Sequence, residues 1–117
     1  MKQENPVVLF IDDDRLMTDT IPFALEDLTG REVVACRSVD EAVEAGKAYN
    51  VGLVITDYYM GRNPAEVLIK LRETYPQVKV VCHTGSQNIT LEHGYDAVVY
   101  KPKSLDGLVE IIKEELN

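Results

Sequence analysis

The chain has 117 residues, 45% of them hydrophobic and 27% charged, a composition that suits one soluble globular domain and excludes a disordered tail. Its 12 basic and 20 acidic residues leave a formal charge of −8, which argues against direct binding to nucleic acid, because a phosphate backbone needs a basic surface. No apolar run is long enough to span a bilayer, and the opening Met-Lys-Gln-Glu-Asn-Pro is too acidic, and its following apolar run too short, for a secretion signal, so a cytoplasmic protein is expected.

In chain order, five short runs rich in β-branched residues read as strands: Val7 to Ile11, Glu32 to Cys36, Val51 to Thr56, Val78 to Cys82 and Ala97 to Tyr100. Each is nearly continuous rather than alternating, the mark of strands covered on both faces. After the first strand, Met17, Ile21, Ala24, Leu25 and Leu28 share one helical face, and Pro22 is expected to kink that helix. Ser38 with Glu41 reads as a capping box after the second strand. Asn63 with Glu66 reads as another after the third, with Pro64 in the favoured first helical position. Leu105, Leu108, Ile112 and Leu116 line one side of a last helix that Ser104 is placed to cap.

One interval breaks the rhythm. Between Thr84 and Gly94 there are two large apolar residues, Ile89 and Leu91, and no helical stripe. A parallel crossover usually needs about a dozen residues in helical form. A helix here is therefore expected to be shortened or missing. The alternation of strand and helix still calls for an α/β fold of one domain, residues 1–117: a doubly wound, five-stranded parallel sheet of order 2-1-3-4-5.

The polar residues gather at the carboxyl ends of these strands. Asp12, Asp13 and Asp14 follow the first, Asp57 the third, Thr84 closes the fourth and Lys101 the fifth. Open parallel sheets bind ligands at that edge, and the first and third strands flank the topological switch point. Carboxylates crowded together either take up a proton or are neutralised by a hard cation, and oxygen-only donors suit Mg²⁺. With a lysine and a hydroxyl nearby, such a site is equipped for phosphoryl transfer to a carboxylate. Each piece alone has a plain explanation: an Asp run caps helices, Thr84-Gly85 makes a turn, and Lys101-Pro102 makes a loop. Their convergence from four strand ends points to a site. Cys36 and Cys82 lie in apolar runs and read as buried free thiols. His83 and His93 lack a partner at ligand spacing, so no transition-metal site is expected.

The segments Val-Val-Leu-Phe-Ile-Asp-Asp-Asp, Leu-Val-Ile-Thr-Asp-Tyr-Tyr-Met, Val-Cys-His-Thr-Gly and Val-Val-Tyr-Lys-Pro resemble the motifs of the response-regulator receiver family, and the likeness spans the chain. The resemblance implies a flavodoxin-like receiver fold with Asp57 as phosphoacceptor. It also implies Mg²⁺ held by Asp13 directly, by Asp12 partly through water, by Asp57 and by the backbone carbonyl of Tyr59. Thr84 would turn its hydroxyl toward the phosphoryl group, Lys101 would contact it, and Lys101–Pro102 would be a cis peptide. The implied partners are a histidine kinase or phosphotransfer protein and a downstream protein reached through protein contacts. The chain would be no turnover enzyme but an acceptor assisting its own phosphorylation and dephosphorylation. The residues do not distinguish a monomer from a weak dimer.

Three departures touch the output side. The family's usual Met-Pro and Asp-Gly after the phosphoacceptor are replaced by Met60-Gly61-Arg62-Asn63-Pro64-Ala65. The aromatic residue usual three places before the lysine is Val98. Tyr100 is aromatic, but by strand alternation it faces away from Lys101 and is not assigned the switch role. The fourth crossover is shorter than usual. These departures motivate an alternative, an interaction module of the same fold with little phosphorylation-dependent switching. A haloacid-dehalogenase-like phosphatase built on Asp12 and Asp14 is a weaker alternative, since Arg15 and Leu16 do not continue its motif and no acidic pair follows Lys101.

Overall fold

The computed structural model describes residues 5–117, so the first four residues of the N-terminal reading above lie outside the described residues. The elements are β1 (Val7–Ile11), α1 (Arg15–Thr29), β2 (Val33–Cys36), α2 (Val39–Ala45), β3 (Val51–Asp57), α3 (Pro64–Thr74), β4 (Val80–Thr84), a 3₁₀ turn (Leu91–His93), β5 (Ala97–Tyr100) and α4 (Leu105–Leu116). The strands are all parallel and ordered β2-β1-β3-β4-β5, as expected.

Strand pleating divides the apolar residues between two cores. Val7, Leu9 and Ile11 pack with Val39 and Ala42 of α2 and with Val67, Leu68 and Leu71 of α3. Val8 and Phe10 point the other way, to Leu25 of α1 and to Leu108 and Ile112 of α4. Residues i and i+2 of a strand share a face, so one continuous apolar strand serves both layers. Each fully buried Leu, Ile or Val contributes roughly 1.5–3 kcal/mol, and β1 is buried at every position.

The helix ends follow their local chemistry, with one exception. Asp14 Oδ1 accepts from Leu16 N at 2.9 Å and caps α1. That helix runs through Pro22 as a single element and ends at Gly30, whose left-handed backbone any other residue would adopt only with strain. Ser38 Oγ accepts from Glu41 N, and Asn63 Oδ1 accepts from Ala65 N and Glu66 N. Ser104 does not cap α4: its backbone is already helical and its side chain makes no capping bond. Its hydroxyl is engaged elsewhere, as described below.

Two segments depart from the sequence reading in ways that shape the site edge. The fourth strand begins at Val80 rather than Val78, because Val78 N donates to Tyr75 O in a turn. The strand then extends through His83 and Thr84, in register with Asp57 and Tyr100. The fourth crossover holds only the 3₁₀ turn, as its lack of an apolar stripe predicted. Buried Ile89 and Tyr95 anchor it, while Leu91 is 60% exposed. Arg72 on α3 clamps its end, donating to Gly94 O at 2.7 Å and to Asp96 Oδ2 at 3.0 Å. Asp96 Oδ2 also accepts from Val80 N at 2.8 Å. A handful of polar bonds thus does here what a packed helix does in the other crossovers.

Candidate functional site

The three consecutive aspartates divide their labour. Asp12 leaves the end of β1 fully buried, its Oδ1 accepting from Asp14 N at 2.9 Å. Asp13 is exposed, and Asp14 is spent on the α1 cap. Asp57, the last residue of β3, is half-buried beside them. Carboxylate oxygens of Asp12, Asp13 and Asp57 lie within 4.8 Å of one another.

Lys101 crosses from the end of β5 to join this group. Its Nζ donates to Asp12 Oδ2 at 3.2 Å and to Asp57 Oδ1 at 3.3 Å. Its backbone N donates to Thr84 O at 2.8 Å, and the bond from Lys101 to Pro102 is cis. Thr84 is buried at the adjoining strand end, with Oγ1 accepting from Ser86 N at 3.1 Å. Its hydroxyl is therefore held by the start of the short crossover.

Charge crowding leaves a clear electrostatic mark. Burial, and then the neighbouring Asp12 carboxylate, raise the Asp57 pKa, while Lys101 partly offsets them. Burial by itself would lower the Lys101 pKa, but the Asp57 and Asp12 carboxylates outweigh it and raise it. The cluster is an anionic, oxygen-only donor set with one ammonium beside it. Such a set fits a small hard cation and offers nothing to a soft one.

The expected residues Asp12, Asp13, Asp57 and Lys101 are thus brought together, with Thr84 at the adjacent strand end. Tyr59 lies in the following loop with its side chain 62% exposed. That loop carries a feature the sequence reading missed. Tyr58 stands edge-on to Tyr59 at 4.7 Å, to His93 at 5.8 Å and to Tyr95 at 6.3 Å. The residue after Asp57 is thereby in aromatic contact with the short crossover. No spacing rule links residues so far apart, so only the fold reveals the group.

The sequence model of the response regulator receiver domain matches residues 8–113. The chain belongs to that family. Among solved structures, it is similar to a response regulator receiver domain protein (CheY-like) from Methanospirillum hungatei, at 27% identity and TM-score 0.81, covering 97% of this chain and 94% of that one. A response regulator receiver domain protein from Clostridium thermocellum shares the fold at 24% identity and TM-score 0.80, covering 96% and 94%. A response regulator from Thermotoga maritima does so at 24% and 0.78, covering 96% and 98%. No curated protein matches the chain. Among the described residues of this receiver domain, no helix is long and apolar enough to cross a membrane.

Proposed function

We propose that this receiver domain takes a phosphoryl group on Asp57 from a histidine kinase or phosphotransfer protein, in a Mg²⁺-dependent reaction in the cytoplasm, and signals through contacts with a downstream protein. The observation that carries this reading is Lys101 bridging Asp12 and Asp57 inside the three-carboxylate cluster. In the reaction an Asp57 carboxylate oxygen attacks phosphorus, the P–N bond to the donor imidazole breaks, and the imidazole leaves with its electron pair and takes up a proton. Asp12, Asp13 and Asp57 would hold the Mg²⁺, joined by the Tyr59 carbonyl as the family resemblance implies. The bound cation supplies neutralisation of charge on the phosphoryl oxygens.

The chain's own residues do the rest. Asp12, held by Asp14 N, presents a fixed carboxylate rather than a mobile one. The Lys101 ammonium exchanges its bond to Asp57 for one to a phosphoryl oxygen, so its charge is in place before the phosphoryl arrives. Thr84 offers its hydroxyl once it turns from the crossover it now supports. The phosphoryl group stays on Asp57 when the donor imidazole leaves, so this is an acceptor that promotes its own modification and, by hydrolysis that releases inorganic phosphate, its reversal. Engagement of Asp14 as a helix cap favours this reading over an Asp12–Asp14 phosphatase.

Intact-mass measurement after incubation with Mg²⁺ and acetyl phosphate tests the proposal. A single phosphoryl gain, lost in Asp57→Asn, is expected. An equal gain in the variant, or none in the wild type, refutes it. One observation favours weak switching: the Tyr100 hydroxyl donates to Ile89 O at 2.7 Å, tying the crossover to β5, while Val98 occupies the position where the family usually has an aromatic residue. Amide shifts on adding beryllofluoride decide between the readings. Changes confined to the pocket support a module that switches little; changes reaching residues 85–94 and β5 support a working switch.

A further inference from the structure

His83 has no part in the chemistry above, yet it is built into the edge of the pocket. It precedes Thr84 on β4, in register with Asp57 on one side and Val99 on the other. The ring is 1% exposed and stands 5.7 Å from the Phe10 ring, within the core under α1 and α4. Nε2 lies 2.7 Å from the hydroxyl of Ser104, itself buried, while Nδ1 has no hydrogen-bond partner among the described residues.

This arrangement carries two local costs. An orphaned polar atom in the interior loses its hydration with no hydrogen bond in return. Turning the Ser104 hydroxyl inward leaves α4 without a side-chain cap and the stabilisation such a bond gives. An apolar pair of the same size would avoid both, so the bond is poorly explained as a device for stability alone. What it does achieve is geometric. The segment from Lys101 to Ser104 is pinned to β4 at its start, by Lys101 N on Thr84 O, and at its end, by Ser104 on His83. Pro102 and Lys103 between these points are exposed. Burial, assisted by the positive charge of Lys101, pushes the His83 pKa down to about 4, so the pin is uncharged at neutral pH.

We propose that His83 is a positioning residue for phosphoryl transfer: through its bond to Ser104 it holds the Lys101–Ser104 loop so that the Lys101 ammonium stays over Asp57. This rests on Asp57 being the phosphoacceptor. The test is the rate of Asp57 phosphorylation from phosphoramidate with Mg²⁺, followed by intact mass on samples shown to be folded by circular dichroism. His83→Leu and Ser104→Ala should each slow the reaction roughly three- to tenfold, because a small misplacement of a catalytic group is costly. The double variant should be no slower than either single one, and Ser104→Thr, which keeps the hydroxyl, should stay within about twofold of wild type. In a Lys101→Ala background, His83→Leu should add nothing. A purely structural role would instead slow both backgrounds by the same factor, and that result overturns the proposal. Ser104→Ala, the gentler change, keeps the test decisive if His83→Leu does not fold. Wild type that gains phosphate while both single variants match its rate removes the positioning role alone. Wild type that gains none removes the phosphoacceptor reading and this inference with it.

Discussion

Replacing Asp57 by Asn should stabilise the metal-free fold, and the structure sets the scale. Asp57 faces an Asp12 oxygen within 4.8 Å, a repulsion of at least about 3.5 kcal/mol at an effective dielectric constant of ~20. Its attraction to Lys101 at 3.3 Å is worth about 5 kcal/mol on the same scale. Those terms leave a net attraction of at most about 1.5 kcal/mol, further reduced by repulsion from Asp13, against a burial penalty of several kcal/mol for an ion that is 14% exposed. Burial therefore prevails, in agreement with the raised Asp57 pKa. Asn removes the penalty, and Lys101 retains Asp12 as its partner. A gain of about 1–2 kcal/mol is expected at pH 7, or roughly 4–8 °C in Tm for a domain of this size.

The pH dependence follows from the direction of the shift. A carboxyl whose folded pKa is raised destabilises the fold fully above that pKa, and the penalty disappears as pH falls below the unfolded value of about 3.9. The advantage of Asn should therefore shrink as pH is lowered, in thermal melts followed by circular dichroism. Mg²⁺ at ten times its Kd should add about 1.4 kcal/mol to wild type and less to the variant, which has lost one anionic donor. A lower Tm for Asp57→Asn at pH 7, or a difference that persists unchanged to pH 3, would refute the charge-crowding account.

Three further outcomes are expected. Asp96→Ala strips the acceptor from the buried Val80 N and from Arg72, and should cost about 2–3 kcal/mol in urea unfolding; a loss below about 0.5 kcal/mol would show that the clamp on the short crossover carries no weight. Tyr100→Phe leaves Ile89 O without its donor and should cost about 1 kcal/mol, read as faster amide exchange within residues 85–94; unchanged exchange there would deny the tether. Cys36 and Cys82 are buried with pKa values pushed up to about 12, so an aromatic disulfide reagent at pH 8 should find both unreactive until the chain is denatured; rapid labelling of the native protein would contradict their burial.

Much of this protein was legible in its residues. Continuous β-branched runs with helical spacings between them determine a parallel sheet covered on both faces. The same pattern puts Asp12, Asp13, Asp57, Thr84 and Lys101 at strand ends before any coordinate is known. The missing helix of the fourth crossover was equally readable, because a stretch holding only Ile89 and Leu91 has no stripe to bury. Caps formed by Asp14, Ser38 and Asn63 are local bonds spanning two or three residues, and local chemistry governs them.

Tertiary structure alone decided the contacts between distant residues. Lys101 reaches Asp12 across 89 positions, and His83 meets Ser104 across 21. Ser104 had every local reason to cap α4, yet it turned inward to a buried ring. Val80, the first residue of β4, finds the acceptor for its amide in Asp96, which arrives just before the next strand. Periodicity and capping rules describe what a segment does with its neighbours in sequence. Which polar groups finally satisfy one another in the interior depends on which strands and loops the packed sheet brings together. So it was with Lys101: the sequence places it at a strand end, but only the packed sheet lays it across Asp12 and Asp57.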